Sequence, residues 1–279
     1  MSQLELPEIE TLRRDLERDV VDRKVKKIEV KGLKSLPIHK TKKQFTEPLI
    51  GAKVAEVDRE GLAIVLTMNN EHTLVIQLGE DGRLERCASK VAVASDVQVT
   101  ITFTQGGDLR IADKKGSSAI AVVPTEELDA YLPDPADIGL DLLTAPISWI
   151  EFGRFVLQRK EPLKVLLMDD SAFVGIGAIY SDEILFDAGL RYDRKANELT
   201  TQEVRRLYRS VVGILHDAIK YRGTSLESRP FIDLTGAPGE FADHLSVYDK
   251  AGQLSPRSRL PIEKAQFKGK PVYFCSTQV

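Results

Sequence analysis

Two glutamates, Glu5 and Glu8, flank Pro7 in the stretch ELPEIE near the start of the chain. A carboxylate held beside a reactive carbon can activate water or carry protons, so these glutamates have the residue type for proton-transfer chemistry. Two other stretches have the residue types to hold phosphates. Residues 23–43 carry nine Lys/Arg against one acid, Glu29, a local charge of +8. Residues 250–270 carry six, among them Arg257, Arg259 and Lys270, against Glu263, a local charge of +5. The net charge of −3 argues against a polyanionic partner when taken alone. At physiological salt, however, the field that matters is local. The plain alternative is a solvated lysine-rich face. The two cysteines, Cys87 and Cys275, are far apart. They suit a reducing cytoplasm and offer neither a disulfide framework nor a thiolate-rich metal site, so no metal and no cofactor are expected.

These residues need elements to position them. Pro7 suits the first turn of a helix, and Ile9, Leu12, Leu16 and Val20 follow at helical spacing on one stripe. From about residue 24 to 123 the pattern changes to alternation and short apolar runs. VKKIEVKG, KVAEVDRE, LAIVLTM, TLVIQLG, VQVTITFT and DLRIA all read as strands, with GEDG at 79–82 and QGGD at 105–108 as hairpin turns. YLPDPADIGLD is rich in Pro and Asp and reads as a linker. After it the chain turns helical. Thr200 with Glu203 forms a capping box ahead of the stripe Val204, Leu207, Val211, Leu215, Ile219. The tail KGKPVYFCSTQV reads as a short β-hairpin. No apolar run approaches the ~20 residues needed to span a bilayer. The first twenty residues are charged throughout, which leaves no apolar signal core. A soluble protein of the cytoplasm is the expectation.

Several of these stretches, taken in order, resemble one family, the formamidopyrimidine-DNA glycosylases and endonuclease VIII-like enzymes. ELPEIE resembles its N-terminal signature, and REGLAIVL…IQLGEDGRL its paired strands. LLMDDSAFVGIGAIYSDEILFDAGL resembles its helix–two-turn–helix segment, and YRGTSL, GAPGEF, VYDKAGQ and PIE follow at matching spacings. The resemblance implies an α+β fold in three parts: an N-terminal β-sandwich with one helix over 1–135, a helix–two-turn–helix DNA-binding domain over 136–240, and a finger hairpin over 241–279. It implies a chemistry in which a damaged base is flipped out of the duplex. The amine of an N-terminal proline then attacks the sugar, and the iminium so formed allows strand cleavage. It also implies duplex DNA as partner, a monomer, and a nucleoid-associated location.

Matched position by position, much of that apparatus is absent. The nucleophilic proline falls on Leu4, with Met1, Ser2 and Gln3 ahead of it; the adjacent glutamate survives as Glu5. The phosphate-binding strand lysine falls on Leu62 and the asparagine on Ala178. The residues that fill the gap left by a flipped base fall on Glu80, Lys115 and Ser117. The four zinc cysteines fall on Ser255, Ser258, Cys275 and Gln278, and the finger arginine on Lys270. One thiolate of four cannot make a structural zinc site, so a zincless hairpin is expected. The scaffold glycines Gly175, Gly177, Gly223 and Gly239 remain. Three readings stay open. The first is a catalytically degenerate DNA-binding relative, contacting the backbone through Lys164, Lys270, Arg257, Arg259 and Lys115. The second is a monofunctional glycosylase in which Glu5 activates water. The third is a scaffold outside repair that binds RNA or protein.

Overall fold

The computed structural model describes residues 4–134, 137–144 and 147–279. The chain divides into two compact units, Met1–Asp134 with Arg222–Glu240, and Pro135–Tyr221 with Phe241–Val279. Residues 222–240, which the sequence grouped with the helical part, thus belong to the β-rich unit.

In the first unit, helix α1 (Leu6–Val20) has Pro7 in its first turn as expected and buries Ile9, Leu12, Leu16 and Val20. The strands are β1 (Val25–Val30), β2 (Val54–Glu60), β3 (Ala63–Met68), β4 (His72–Gln77), β5 (Arg83–Cys87), β6 (Val97–Phe103), β7 (Asp108–Ala112) and β8 (Ala119–Pro124). They form two four-stranded antiparallel sheets, ordered β1-β6-β7-β5 and β2-β3-β4-β8. Short helices α2 (Lys42–Thr46) and α3 (Leu128–Tyr131) complete the unit. One apolar cluster joins α1, strands of both sheets, and Phe231 and Leu234 from the returning segment.

Two corrections concern the strands. QGGD does close the β6–β7 hairpin, but GEDG does not close one: β4 lies in one sheet and β5 in the other, so residues 78–82 carry the chain between sheets. Strands β5 and β8 are not singled out by the sequence pattern. β5 (RLERC) is mostly charged and has only Leu84 fully buried.

The second unit holds helices α4 (Trp149–Leu157), α5 (Leu163–Leu167), α6 (Ala178–Ala188) and α7 (Thr201–Lys220), then the hairpin β9 (Glu263–Phe267) and β10 (Lys270–Phe274). The Thr200–Glu203 capping box forms as the sequence predicts, and α7 buries the expected stripe. Part of the expected linker, residues 135–136, lies outside the described residues. Beyond it, Gly139 and Leu140 donate to the carbonyls of Asp170 and Ala172, which pins the chain to the loop before α6.

Candidate nucleic-acid interface

Glu5 is the N-cap of α1 and is buried. Its backbone N–H donates to Glu8 Oε2 at 3.0 Å, so the two signature glutamates hold each other. Glu8 Oε1 accepts from the Thr224 N–H at 2.8 Å, and Arg229 Nη1 donates to Glu5 Oε1 at 3.0 Å. Arg222 reaches Asp233 Oδ2 at 2.6 Å and Asp15 Oδ2 at 2.5 Å. These contacts fasten the segment 222–240 to α1 at its N-terminus and at Asp15. Gly223 has φ +84°, and a Cβ on Gly239 would lie 2.4 Å from the Gly223 carbonyl oxygen. The two glycines are therefore required by a backbone approach that a side chain would block. Leu4 and Leu62 are partly buried against the core cluster; at both positions an apolar side chain packs where the resemblance implies a polar function. Met1, Ser2 and Gln3 lie outside the described residues.

The three positions matched to the family's gap-filling residues are tied into one surface knot. Lys115 Nζ pairs with Glu80 at 2.7 Å, and that partner raises the lysine's pKa. The Glu80 N–H donates to Ser117 Oγ at 3.0 Å, and the Lys115 N–H to the Asp81 carboxylate at 3.1 Å. Lys115 is exposed, but its charge is already answered by Glu80.

In the second unit, Lys164 sits where a phosphate could not reach it. Its ammonium is buried and donates to Asp182 Oδ1 at 2.7 Å, Ser181 Oγ at 2.7 Å and the Ala178 carbonyl at 3.0 Å. The expectation that Lys164 binds DNA is corrected: it is the counter-ion of a buried carboxylate on α6. Burial pushes Asp182 up to about 6 even with Lys164 pulling it down. Asp182 Oδ2 accepts from the Tyr273 N–H at 3.0 Å, and Glu183 accepts from the N–H groups of Ser246, Val247 and Tyr248 at 2.7–2.9 Å. Two adjacent acids on α6 thereby anchor the hairpin and the loop that leads to it. Sequence periodicity did not single them out, since the backbone N–H groups they bond lie more than sixty residues away in the chain.

Lys270 opens β10 and is exposed, as is Arg259. Arg257 is half-exposed and already engaged. It donates to the Phe186 carbonyl at 2.8 Å and the Asp187 carbonyl at 3.0 Å, capping the C-terminal end of α6. The four positions matched to zinc cysteines come together as a hydrogen-bonded node. Ser258 Oγ is 3.0 Å from Cys275 Sγ, Ser255 Oγ accepts from the Ser258 N–H at 3.4 Å, and Gln278 Oε1 accepts from the Cys275 N–H at 2.7 Å. Gln278 Nε2 in turn donates to the Leu190 carbonyl at 2.8 Å. Burial opposes ionisation of the Cys275 thiol, yet hydrogen bonds from Ser258 and Thr277 draw its pKa down to about 7. One sulfur, two hydroxyls and a carboxamide that already bond one another do not fit a structural zinc ion. Among the described residues no other cluster of His, Cys, Asp or Glu could hold a metal, and no helix is long and apolar enough to cross a membrane.

A β-sandwich that begins with a glutamate-capped helix, and a four-helix unit that ends in a hairpin, define the class. The formamidopyrimidine-DNA glycosylase N-terminal domain matches residues 4–120, and the family's H2TH domain matches residues 138–229. The chain is 32% identical over 276 residues to a formamidopyrimidine-DNA glycosylase of Pelotomaculum thermopropionicum, covering 98% of each. It is similar to the crystal structure of the MutM (Fpg) protein from Thermus thermophilus, at 27% identity and a TM-score of 0.83 over 98% of this chain and 97% of that one. It is also similar to the Lactococcus lactis Fpg in complex with DNA containing an abasic site, at 25% identity and a TM-score of 0.87 over 99% of each. The chain belongs to the formamidopyrimidine-DNA glycosylase family.

Proposed function

We propose that this protein binds duplex DNA, with a preference for damaged or distorted sites, and has lost both base excision and strand cleavage. The observation that carries this reading is the state of Glu5. Its buried carboxylate is spent on Arg229, and its neighbour Leu4 is an internal residue whose nitrogen is an amide. An amide nitrogen has no available lone pair to form an iminium. The Oε1 atom of Glu5 already accepts from the Arg229 guanidinium, so that oxygen is not open to take a proton from an attacking water. The family relationship and the DNA complex of the Lactococcus relative support DNA as the ligand. Lys270 and Arg259, exposed on the hairpin unit, are the residues assigned to backbone phosphates, with Arg257 contributing its exposed edge. The Ser255–Ser258–Cys275–Gln278 node supports a finger that folds without zinc.

The test is incubation with abasic-site duplex and borohydride, beside a binding titration on intact, abasic and damaged duplexes and structured RNA at two salt concentrations. The expected result is duplex binding that weakens with salt, no covalent complex and no base release. Robust trapping by the unmodified protein overturns the loss of lyase chemistry. Base release without a strand cut replaces the reading with a Glu5-driven monofunctional glycosylase, and preference for RNA over every duplex replaces it with a scaffold outside repair.

A further inference from the structure

We propose that the lysine-rich run over residues 24–43 is a second phosphate-binding surface, a track on the first unit that carries the nucleic-acid backbone from the 113–118 turn outward. It rests on the DNA-binding reading above but involves none of the hairpin residues assigned there. Lys24, Lys26, Lys27, Lys31, Lys34, Lys40, Lys42 and Lys43 are all exposed.

A β-bulge sets the first part of the track. Val25 stands opposite Phe103 and Lys27 opposite Thr102, so Lys26 is an extra residue in the ladder. Val25 and Ile28 are both buried, and the bulge turns Lys26 and Lys27, consecutive residues, to solvent. The rest of the track lies on the loop after β1 and the first turn of α2, both fixed from beneath. Leu36 and Phe45 are buried, the Ser35 carbonyl accepts from the Ile120 N–H at 2.8 Å, and His39 Nε2 accepts from the Val122 N–H at 3.0 Å. A rigid base under the lysines lowers the ordering cost of binding.

Most of this positive charge is left without a carboxylate partner within the described residues. Among the described residues, the carboxylate that pairs with any of these eight lysines is Glu29, on Lys27. Lys31, Lys34 and Lys42 instead donate to the carbonyls of Ser95, Lys115 and Lys31. The contact of Lys34 with the Lys115 carbonyl joins the track to the turn that bears the exposed Lys114. In a chain of net charge −3 such a concentration points to a partner with closely repeated negative charge. Guarding the edge of β1 against strand pairing accounts for Lys26 and Lys27, but not for the five lysines from 31 to 43, which lie outside any strand.

Charge reversal separates these roles, because glutamate guards an edge as well as lysine does. The variant K26E/K27E/K42E/K43E is titrated with the same duplex as the wild type across a salt series, beside Lys270→Ala, with thermal melting as the fold control. The expected result is an unchanged melt, affinity at low salt reduced at least about tenfold, and a flattening of log K against log salt by about two to four units, since each phosphate no longer neutralised takes about 0.9 off the slope. Wild-type affinity and slope in the quadruple variant, alongside weakened binding by Lys270→Ala, overturn the track and leave the DNA-binding function standing. In a parallel titration with polyglutamate, loss of that binding in the quadruple variant with duplex binding intact overturns it in favour of an acidic protein partner. A wild-type protein that binds no duplex overturns both.

Discussion

Replacing Lys164 with methionine keeps a side chain of similar length and removes only the ammonium. Lys164 and Asp182 are both buried, with 2.7 Å between charged atoms, and the carboxylate's other oxygen is committed to the Tyr273 N–H. Breaking one partner out of a buried pair costs about 3–5 kcal/mol, because the surviving charge is left uncompensated. That is a large fraction of the ~5–15 kcal/mol that keeps a typical domain folded. Asp182 can escape part of the penalty by taking a proton. Burial already holds it at about 6 with Lys164 present; without the ammonium it moves higher. A carboxyl whose folded pKa lies above its unfolded value stabilises the fold at low pH and loses that contribution as pH rises through the folded pKa. The variant is therefore expected to be weakest near pH 8 and to recover toward pH 5, by up to about 1.4 kcal/mol per pH unit relative to wild type. Urea denaturation at the two pH values measures this directly. Where the variant is folded, its DNA salt slope should equal that of wild type. A loss under about 1 kcal/mol that does not depend on pH, or a flattened salt slope, would refute the structural role and return Lys164 to the DNA-binding set.

Two further outcomes follow from the same contacts. Prolonged chelation should leave the melting temperature unchanged, whereas S255C/S258C/Q278C, which completes a four-thiol set with Cys275, should acquire zinc-dependent stabilisation; a chelator-sensitive wild type would end the zinc-free reading. His39 accepts from the Val122 N–H and burial lowers its pKa, so its contribution is present above about pH 6.5 and is lost as pH falls through the lowered folded value. The wild-type urea midpoint should drop more between about pH 7 and pH 5.5 than that of His39→Gln, which has no charge to gain; equal drops remove His39 from the acid response.

The helix stripes were legible because a period of 3.6 needs only local sequence. Ile9 to Val20 and Val204 to Ile219 are buried as read, and Thr200 caps α7 through a residue three positions on. The turn at 79–82 was misread for the opposite reason. Gly and Asp specify that the chain turns, but which strand β5 then pairs with depends on β7, more than twenty residues later. Lys164 was misassigned because its partner, Asp182, touches it in space but lies 18 residues away in sequence. The Glu5–Arg229 pair spans 224 residues, and no local pattern announces it. What the sequence did carry was the substitution of chemistry-bearing types, since residue type at Leu4, Leu62, Ser255 and Ser258 is read without any knowledge of the surroundings.

Those surroundings bear on why the substituted positions are stable as they stand. An active site holds polar groups in readiness, and a protein that keeps them so gives up stability to do it. Here the remaining polar groups at the substituted positions have partners within the fold. Glu5 accepts from Arg229, Glu80 pairs with Lys115, Ser117 takes the Glu80 N–H, and Ser258, Cys275 and Gln278 bond around what the family builds on metal. Leu4 and Leu62 pack against the core instead of facing a reaction. A relic decaying at random would leave buried groups unsatisfied, at about 1–3 kcal/mol each. The contacts of Glu5, Glu80, Ser117, Ser258, Cys275 and Gln278 keep these positions from carrying that penalty. By contrast, Lys270 and most of the lysines along residues 24–43 are exposed with no carboxylate partner among the described residues, and this is the charge on which the proposed duplex binding draws.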